Sequence, residues 1–327
     1  VKLRFGAAEL LQALAIDQAA DEQRAIDALT ALLAGEAPSA PQPPQAAAEF
    51  FDVPTGDAFD VAPERAINYF RAMGLGNAFA WQDAIDTATA EAFTVAKMMD
   101  MDLLAQVRAS LESAAANGTP FKDWTREIVP LLKRAGWWGR KPLNDPVTGE
   151  VVDAQLGSPS RLETIFRTNL QSAYAAGQWS QIEAQRDTAP LLMYDALDDF
   201  RTRPAHRAWD GKLLPVDSPW WRTHYPPNGW NCRCGVIQLS EDEAAQMGLE
   251  VSPAPRTRTA AWTNPRTGRV QRVPVGVDPG FDRNAGLDYQ QHLNGLAAEK
   301  AAALPDDLGA AASRALSNAP KAPRRKP

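Results

Sequence analysis

Cys232 and Cys234 stand one residue apart and are the only cysteines among 327 residues. Two of the three histidines, His206 and His224, lie in the same stretch, FRTRPAHRAWDGKLLPVDSPWWRTHYPPNGWNCRCGVIQLS, residues 200–240. Thiolate and imidazole are the donors zinc takes, four at a time in a tetrahedron. Side chains two apart on extended backbone point to the same side, so a Cys-x-Cys pair can present both sulfurs to one ion. His224 is near in sequence and His206 could return across the loop, which gives Cys232, Cys234, His206 and His224 as a ligand set for one structural zinc. Asp210 is an oxygen donor in reserve if one imidazole does not reach. The plainer account is that both cysteines are small buried hydrophobes and both histidines ordinary polar contacts.

Other chemistry is open to the same residues. A cysteine beside a histidine can be a nucleophile with its base. A metal- or cysteine-dependent hydrolase would use His206, Asp210, His224 and Cys232. No Gly-x-Ser-x-Gly, phosphate loop or His-Glu-x-x-His supports an enzyme, and the chain is read as a non-enzyme. Arg201, Arg203 and Arg207, with Arg222 and Arg233, are interleaved with Trp209, Trp220, Trp221 and Trp230. Such a mixture can hold phosphates and stack bases, which makes Arg201, Arg203 and Arg207 candidate nucleic-acid contacts. Asp195, Asp198, Asp199, Asp210 and Asp217 are just as dense, and internal ion pairs or cation–π contacts explain the arginines equally well.

The stretch is rich in Pro and Gly and cannot be one long helix. Ordering so long a loop costs conformational entropy. Buried aromatics, a metal, or both must supply the compensation. A disulfide within Cys-x-Cys would be a strained small ring, so a reducing compartment is expected. The net charge of −6 does not suit a protein that coats nucleic acid. The basic end KAPRRKP reads as a solvated terminus. No run nears the ~20 apolar residues of a membrane helix, and no signal peptide is expected.

Around this loop the periodicity predicts an α+β fold, with a mostly helical N-terminal half and a mixed, loop-rich C-terminal domain. An N-terminal helical segment (1–35) precedes a Pro/Ala-rich linker (36–58). A helical domain (59–158) starts with a helix at Pro63, with Ile67, Phe70 and Met73 on its apolar face. A helical pattern runs from 81 to 116, broken near 99–102 and stopped at Asn117-Gly118. A further helix over 119–134 is capped by Thr119 and buries Phe121, Trp124, Ile128 and Leu132. NDPVTGEVVD reads as a hairpin or turn. The clearest helix covers 160–186, with Ser160 and Glu163 as a capping box. PLLMYDAL and GVIQLS read as strands, EDEAAQMG as a short helix, and 251–283 as hairpins with turns at 264–268 and 278–280. The C-terminal domain spans 159–290, and a helix with the basic tail closes the chain (291–327).

These residues resemble the phage Mu F-like minor head protein family, also called phage head morphogenesis proteins. RTRPAHRAWDGKLLPVDSPWWRTHYPPNGWNCRC looks like the family's signature block, and IFRTNLQSAYAAGQW like the helix before it. VDPGFDRNAG resembles a downstream segment, with Arg283-Asn284 where the family often has Tyr-Asn. APERAINYFRAMG and AFTVAK resemble its N-terminal half. The resemblance covers roughly residues 60 to 290. It implies a low-copy head component of a tailed bacteriophage, made in the host cytoplasm and located in the virion, inside the capsid near the portal. Such a component acts with the portal protein and the scaffold or major capsid protein in procapsid assembly, and it could contact packaged double-stranded DNA. No membrane partner is implied. The family's Cys-Arg-Cys and histidine map onto Cys232, Cys234 and His206; His224 is less central to the pattern.

Overall fold

The computed structural model describes residues 63–86 and 92–303. The expected N-terminal helix, the linker and the basic tail lie outside the described residues. Two compact units divide the described chain, residues 63–286 and residues 287–303. The first carries every contact described below and every element except the last helix. It mixes helices with small sheets, as the α+β reading expects, and the described strands close no barrel.

The helical layer is built from α1 (Pro63–Ala72), α2 (Trp81–Asp86), α3 (Met101–Asn117), α4 (Phe121–Arg134) and α5 (Pro159–Ala184). Helix α5 is 26 residues long and so about 39 Å from end to end. Leu162, Phe166, Leu170, Ala173, Ala176 and Trp179 follow one another at helical spacing and are all buried. Ile165 and Tyr174, expected on the same stripe, are half-buried at its margin. Helix α1 packs against both α3 and α5. Its buried face is Ala66, Tyr69, Phe70 and Met73, with Ile67 turned partly out. Helix α4 buries Trp124, Ile128 and Leu132 as expected. The Trp124 ring lies 5.0 Å from that of Phe166, and its indole N–H donates to Ser110 Oγ at 3.0 Å.

Three helix ends differ from the sequence reading. Helix α5 starts at Pro159, whose fixed φ suits a first turn, so the cap is Ser158, accepting from the Arg161 N–H; Ser160 lies inside the helix. Helix α4 starts after Pro120 with no side-chain cap, which leaves Thr119 outside. The helical pattern expected from 81 breaks early: α2 ends at Asp86, and Ala92–Phe93 (β2) pairs in parallel with Gly74–Leu75 (β1). A two-residue bridge carries no periodicity that could announce it. The stop at Gly118 is as read, with a left-handed φ of 62°.

The remaining strands are β3 (Arg140–Asn144), β4 (Val151–Gln155), β5 (Leu191–Asp195), β6 (Leu213–Pro215), β7 (Gly235–Leu239), β8 (Thr259–Thr263) and β9 (Val270–Pro274). β3–β4 and β8–β9 are hairpins at expected turns, whereas the turn at 278–280 leads into a helix and closes no hairpin. β5 is central in an antiparallel sheet of order β6-β5-β7. The sheet is tied to α5 by amides: Gln178 Nε2 donates to the Val236 carbonyl at 3.2 Å, and Gln238 Nε2 to the Ile182 and Ala189 carbonyls at 3.0 and 2.8 Å. Between the strands lie α6 (Pro204–Trp209), α7 (Trp221–His224) and, after β7, α8 (Glu241–Gln246); α9 is Ala285–Ala303. The two hairpin tips are joined through Arg266, whose guanidinium holds Asp145 at 2.5 and 2.9 Å and Asp83 at 2.5 Å. This arginine keeps the buried Asp145 carboxyl well below the usual carboxylate range.

Helix α3 is capped by Asp100, which accepts from the Asp102 and Leu103 N–H groups, both at 3.0 Å. Substitution D100A is expected to cost about 1 kcal/mol, and D100S much less. Urea unfolding with an unchanged slope checks this; an unmoved midpoint for D100A shows the cap contributes nothing.

Candidate metal centre

Strand β5 ends at Asp195, and the chain leaves it to make an irregular excursion before returning as β7. Cys232 and Cys234 directly precede β7. His206 sits on α6, the first helical turn of the excursion. The short α6 starts at Pro204, where proline's missing N–H costs nothing. These placements bring His206, Cys232 and Cys234 into one buried group, with every ligand atom within 4.8 Å of the others. His206 Nδ1 is 3.4 Å from Cys234 Sγ and 3.8 Å from Cys232 Sγ. Both cysteines are free thiols.

The imidazole is held from behind. His206 Nε2 lies 2.9 Å from the Gly276 carbonyl, which can only accept, so Nε2 carries a proton and Nδ1 faces the sulfurs. Gly276 has φ +101°, and a Cβ there would run into Ala205 and Trp209, so a side chain would push this carbonyl away. The His206 ring also stacks on Trp209, at 5.1 Å and 18°.

The sulfurs share their protons. Cys232 is held well below the usual thiol range, chiefly by the Cys234 thiol, then by His206 and the Asn228 backbone N–H. Cys234 is pushed up, chiefly because it gives its hydrogen bond to Cys232, and by burial; the Leu197 backbone N–H works in the opposite direction. Burial also raises the Tyr194 hydroxyl, with the nearby sulfurs adding to the effect. Tyr194 donates to Asn228 Oδ1 at 2.8 Å. The sequence reading missed Tyr194 and Asn228, since neither type signals a metal or catalytic site by itself.

His224 does not join the group. Its ring stacks on Trp220 at 4.5 Å and 11°, and it meets Trp209 edge to face at 5.0 Å. Its Nδ1 is occupied by Thr223 Oγ1 at 2.8 Å and the Trp220 carbonyl at 3.3 Å. Asp210 is turned away as well, accepting from the Ala196 N–H at 2.8 Å. The four residues of the hydrolase reading are thus not assembled: His206 and Cys232 meet, while Asp210 and His224 serve the local fold.

The arginines are similarly engaged. Arg233 makes a two-pronged pair with Asp199, both contacts 2.6 Å, and Arg201 approaches the same carboxylate at 3.5 Å. Arg207 donates to the Asp199 carbonyl at 2.6 Å. Arg203 donates to Asp278 at 2.8 Å and to the Trp230 carbonyl at 3.1 Å. A cavity of about 480 Å³ borders all three members of the cluster, with Arg201, Arg203 and Arg167 on its wall.

Residues 105–237 match the family model for Phage Mu protein F like proteins, a span that begins within α3 and includes α4, α5 and the whole cluster except its Gly276 support. This match and two curated relatives support a Mu F-like family for the chain. It is 38% identical over 238 residues to the putative capsid assembly protein F of Escherichia phage Mu, covering 68% of this chain and 54% of that protein. It is 43% identical over 172 residues to the Mu-like prophage FluMu F protein of Haemophilus influenzae, covering 53% of this chain and 40% of that protein. The chain thus spans about half the length of the curated relatives it matches. No solved structure matches.

Burial among the tryptophans lowers the His224 pKa to about 4, against an ordinary value near 6.5. A depressed histidine contributes stability that is complete above the unfolded pKa and is lost as pH falls through the folded one. The shift predicts a loss on the order of 3 kcal/mol between about pH 6.5 and pH 4. H224N should flatten that part of the stability–pH curve; an equally steep fall in the variant assigns the acid sensitivity elsewhere.

Proposed function

We propose that this chain is a head morphogenesis protein of a tailed bacteriophage, acting by binding and not by turnover. The observation that carries this reading is the 38% identity over 238 residues with a protein described as a capsid assembly protein. In this reading it is a low-copy minor head component inside the virion, near the portal. Its partners are the portal protein and the scaffold or major capsid protein. Among the described residues, no helix is long and apolar enough to cross a membrane.

The structure bears on two finer points. The hydrolase alternative loses support because Asp210 and His224 stand outside the His206–Cys232 contact. Contact with packaged DNA gains no support from Arg201, Arg203 and Arg207, since each is engaged with an acidic side chain or a carbonyl of the loop itself. Arg203 and Arg207 therefore serve to pin the loop. A DNA role would have to rest on other surfaces.

Mass spectrometry of purified procapsids and virions, normalised to the major capsid protein, tests the proposal. A few copies per particle are expected in at least one of the two. Absence from both contradicts a head component.

A further inference from the structure

We propose that His206 Nδ1, Cys232 Sγ and Cys234 Sγ bind one Zn²⁺ whose fourth position opens into the adjoining cavity. This is independent of the head-assembly reading and would hold for any function of the fold.

The distances fit one tetrahedral ion. With Zn–S near 2.3 Å and Zn–N near 2.0 Å, a tetrahedron sets N···S at about 3.5 Å. The two observed values, 3.4 and 3.8 Å, fall on either side of this. The donors are also oriented as ligands are. The Gly276 carbonyl takes the Nε2 proton, which fixes the tautomer that leaves Nδ1 to coordinate. Backbone N–H groups of Asn228 and Leu197 are directed at Cys232 and Cys234 and favour the thiolate forms. Two thiolates and a neutral imidazole would balance the dication, so the buried site carries no net charge. Soft sulfur with imidazole suits zinc and not the hard cations Ca²⁺ or Mg²⁺, which need oxygen donors.

The fourth position is the feature that spacing could not show. Structural zinc sites are closed by four protein ligands, whereas open sites hold three and a solvent molecule. Among the described residues the group has three members. Other donors of the loop have partners of their own: Asp199 pairs with Arg233, Asp210 accepts from the Ala196 N–H, and His224 Nδ1 meets Thr223 and the Trp220 carbonyl. The cavity of about 480 Å³ is lined by all three ligands and by polar neighbours, so water can reach the ion. Bound there, the ion would also act as a staple. It would join the end of β5, α6, the strand entry at 232–234 and the turn after β9.

The test uses the full chain without variants first. Elemental analysis of the purified protein should find one zinc per chain, and replacement by Co²⁺ should give thiolate-to-cobalt charge-transfer bands with the strong visible bands of four-coordinate cobalt. Azide should shift those visible bands. Less than stoichiometric zinc after purification and zinc titration, with no thiolate–cobalt bands, overturns the metal site. Cobalt bands that ignore azide overturn the open position. Zinc K-edge absorption should show two sulfur neighbours; one or none overturns the ligand set. H206A, C232S and C234S should each lower zinc affinity at least 100-fold. H224N should keep one zinc per chain, and its loss in a folded H224N protein returns His224 to the ligand set.

Discussion

Irregular backbone can be buried only if its polar groups find partners inside, and the 196–234 excursion depends on one such chain of partners. Tyr194, at the centre of the sheet, donates to Asn228 Oδ1, and Asn228 Nδ2 reaches the Tyr225 carbonyl. The Asn228 carbonyl accepts from Asp278, whose carboxylate takes the Trp230 N–H and Arg203. The route runs from β5 through the loop to the turn after β9. His206, Cys232 and Cys234 lie beside it and share its walls, Tyr194 and Trp209. A loop with this many satisfied groups has few alternative arrangements, since moving one member orphans the next.

Helix α5 makes the excursion possible. Its stripe of Leu162, Phe166 and Leu170 belongs to the helical layer, while Gln178 and the Ala175 carbonyl serve β7 and Tyr225 farther along. One long rigid element thus supports both the helices and the sheet from which the loop departs and to which it returns. Trp179 meets the Tyr225 ring at 4.9 Å, so the loop's interior also rests on α5.

Much of this is legible in residues 140–303. Long periodic runs and Gly-bearing turns revealed α5 and both hairpins, because each is fixed by local pattern. Positions settled by neighbours were not legible. Ser158 rather than Ser160 caps α5 because Pro159 takes the first turn. Ala92–Phe93 becomes a bridge because Gly74–Leu75 lies alongside. The cluster shows the same division. Spacing placed Cys232 and Cys234 together, and both histidines were candidates. Only the fold shows that Gly276 turns His206 towards the sulfurs while Trp220 and Thr223 hold His224 apart. The arginines were ambiguous for the same reason, as their partners Asp199 and Asp278 are identified by three-dimensional position.

Hydrogen exchange on the full chain, with zinc present and after chelation, tests most directly whether the His206–Cys232–Cys234 centre holds the excursion in place. The account predicts that amides in 197–212 and 228–234 lose protection on chelation while those of α5 keep theirs. Equal protection of the loop in both states would contradict it, and would leave the aromatic and hydrogen-bond network alone as the support of this fold.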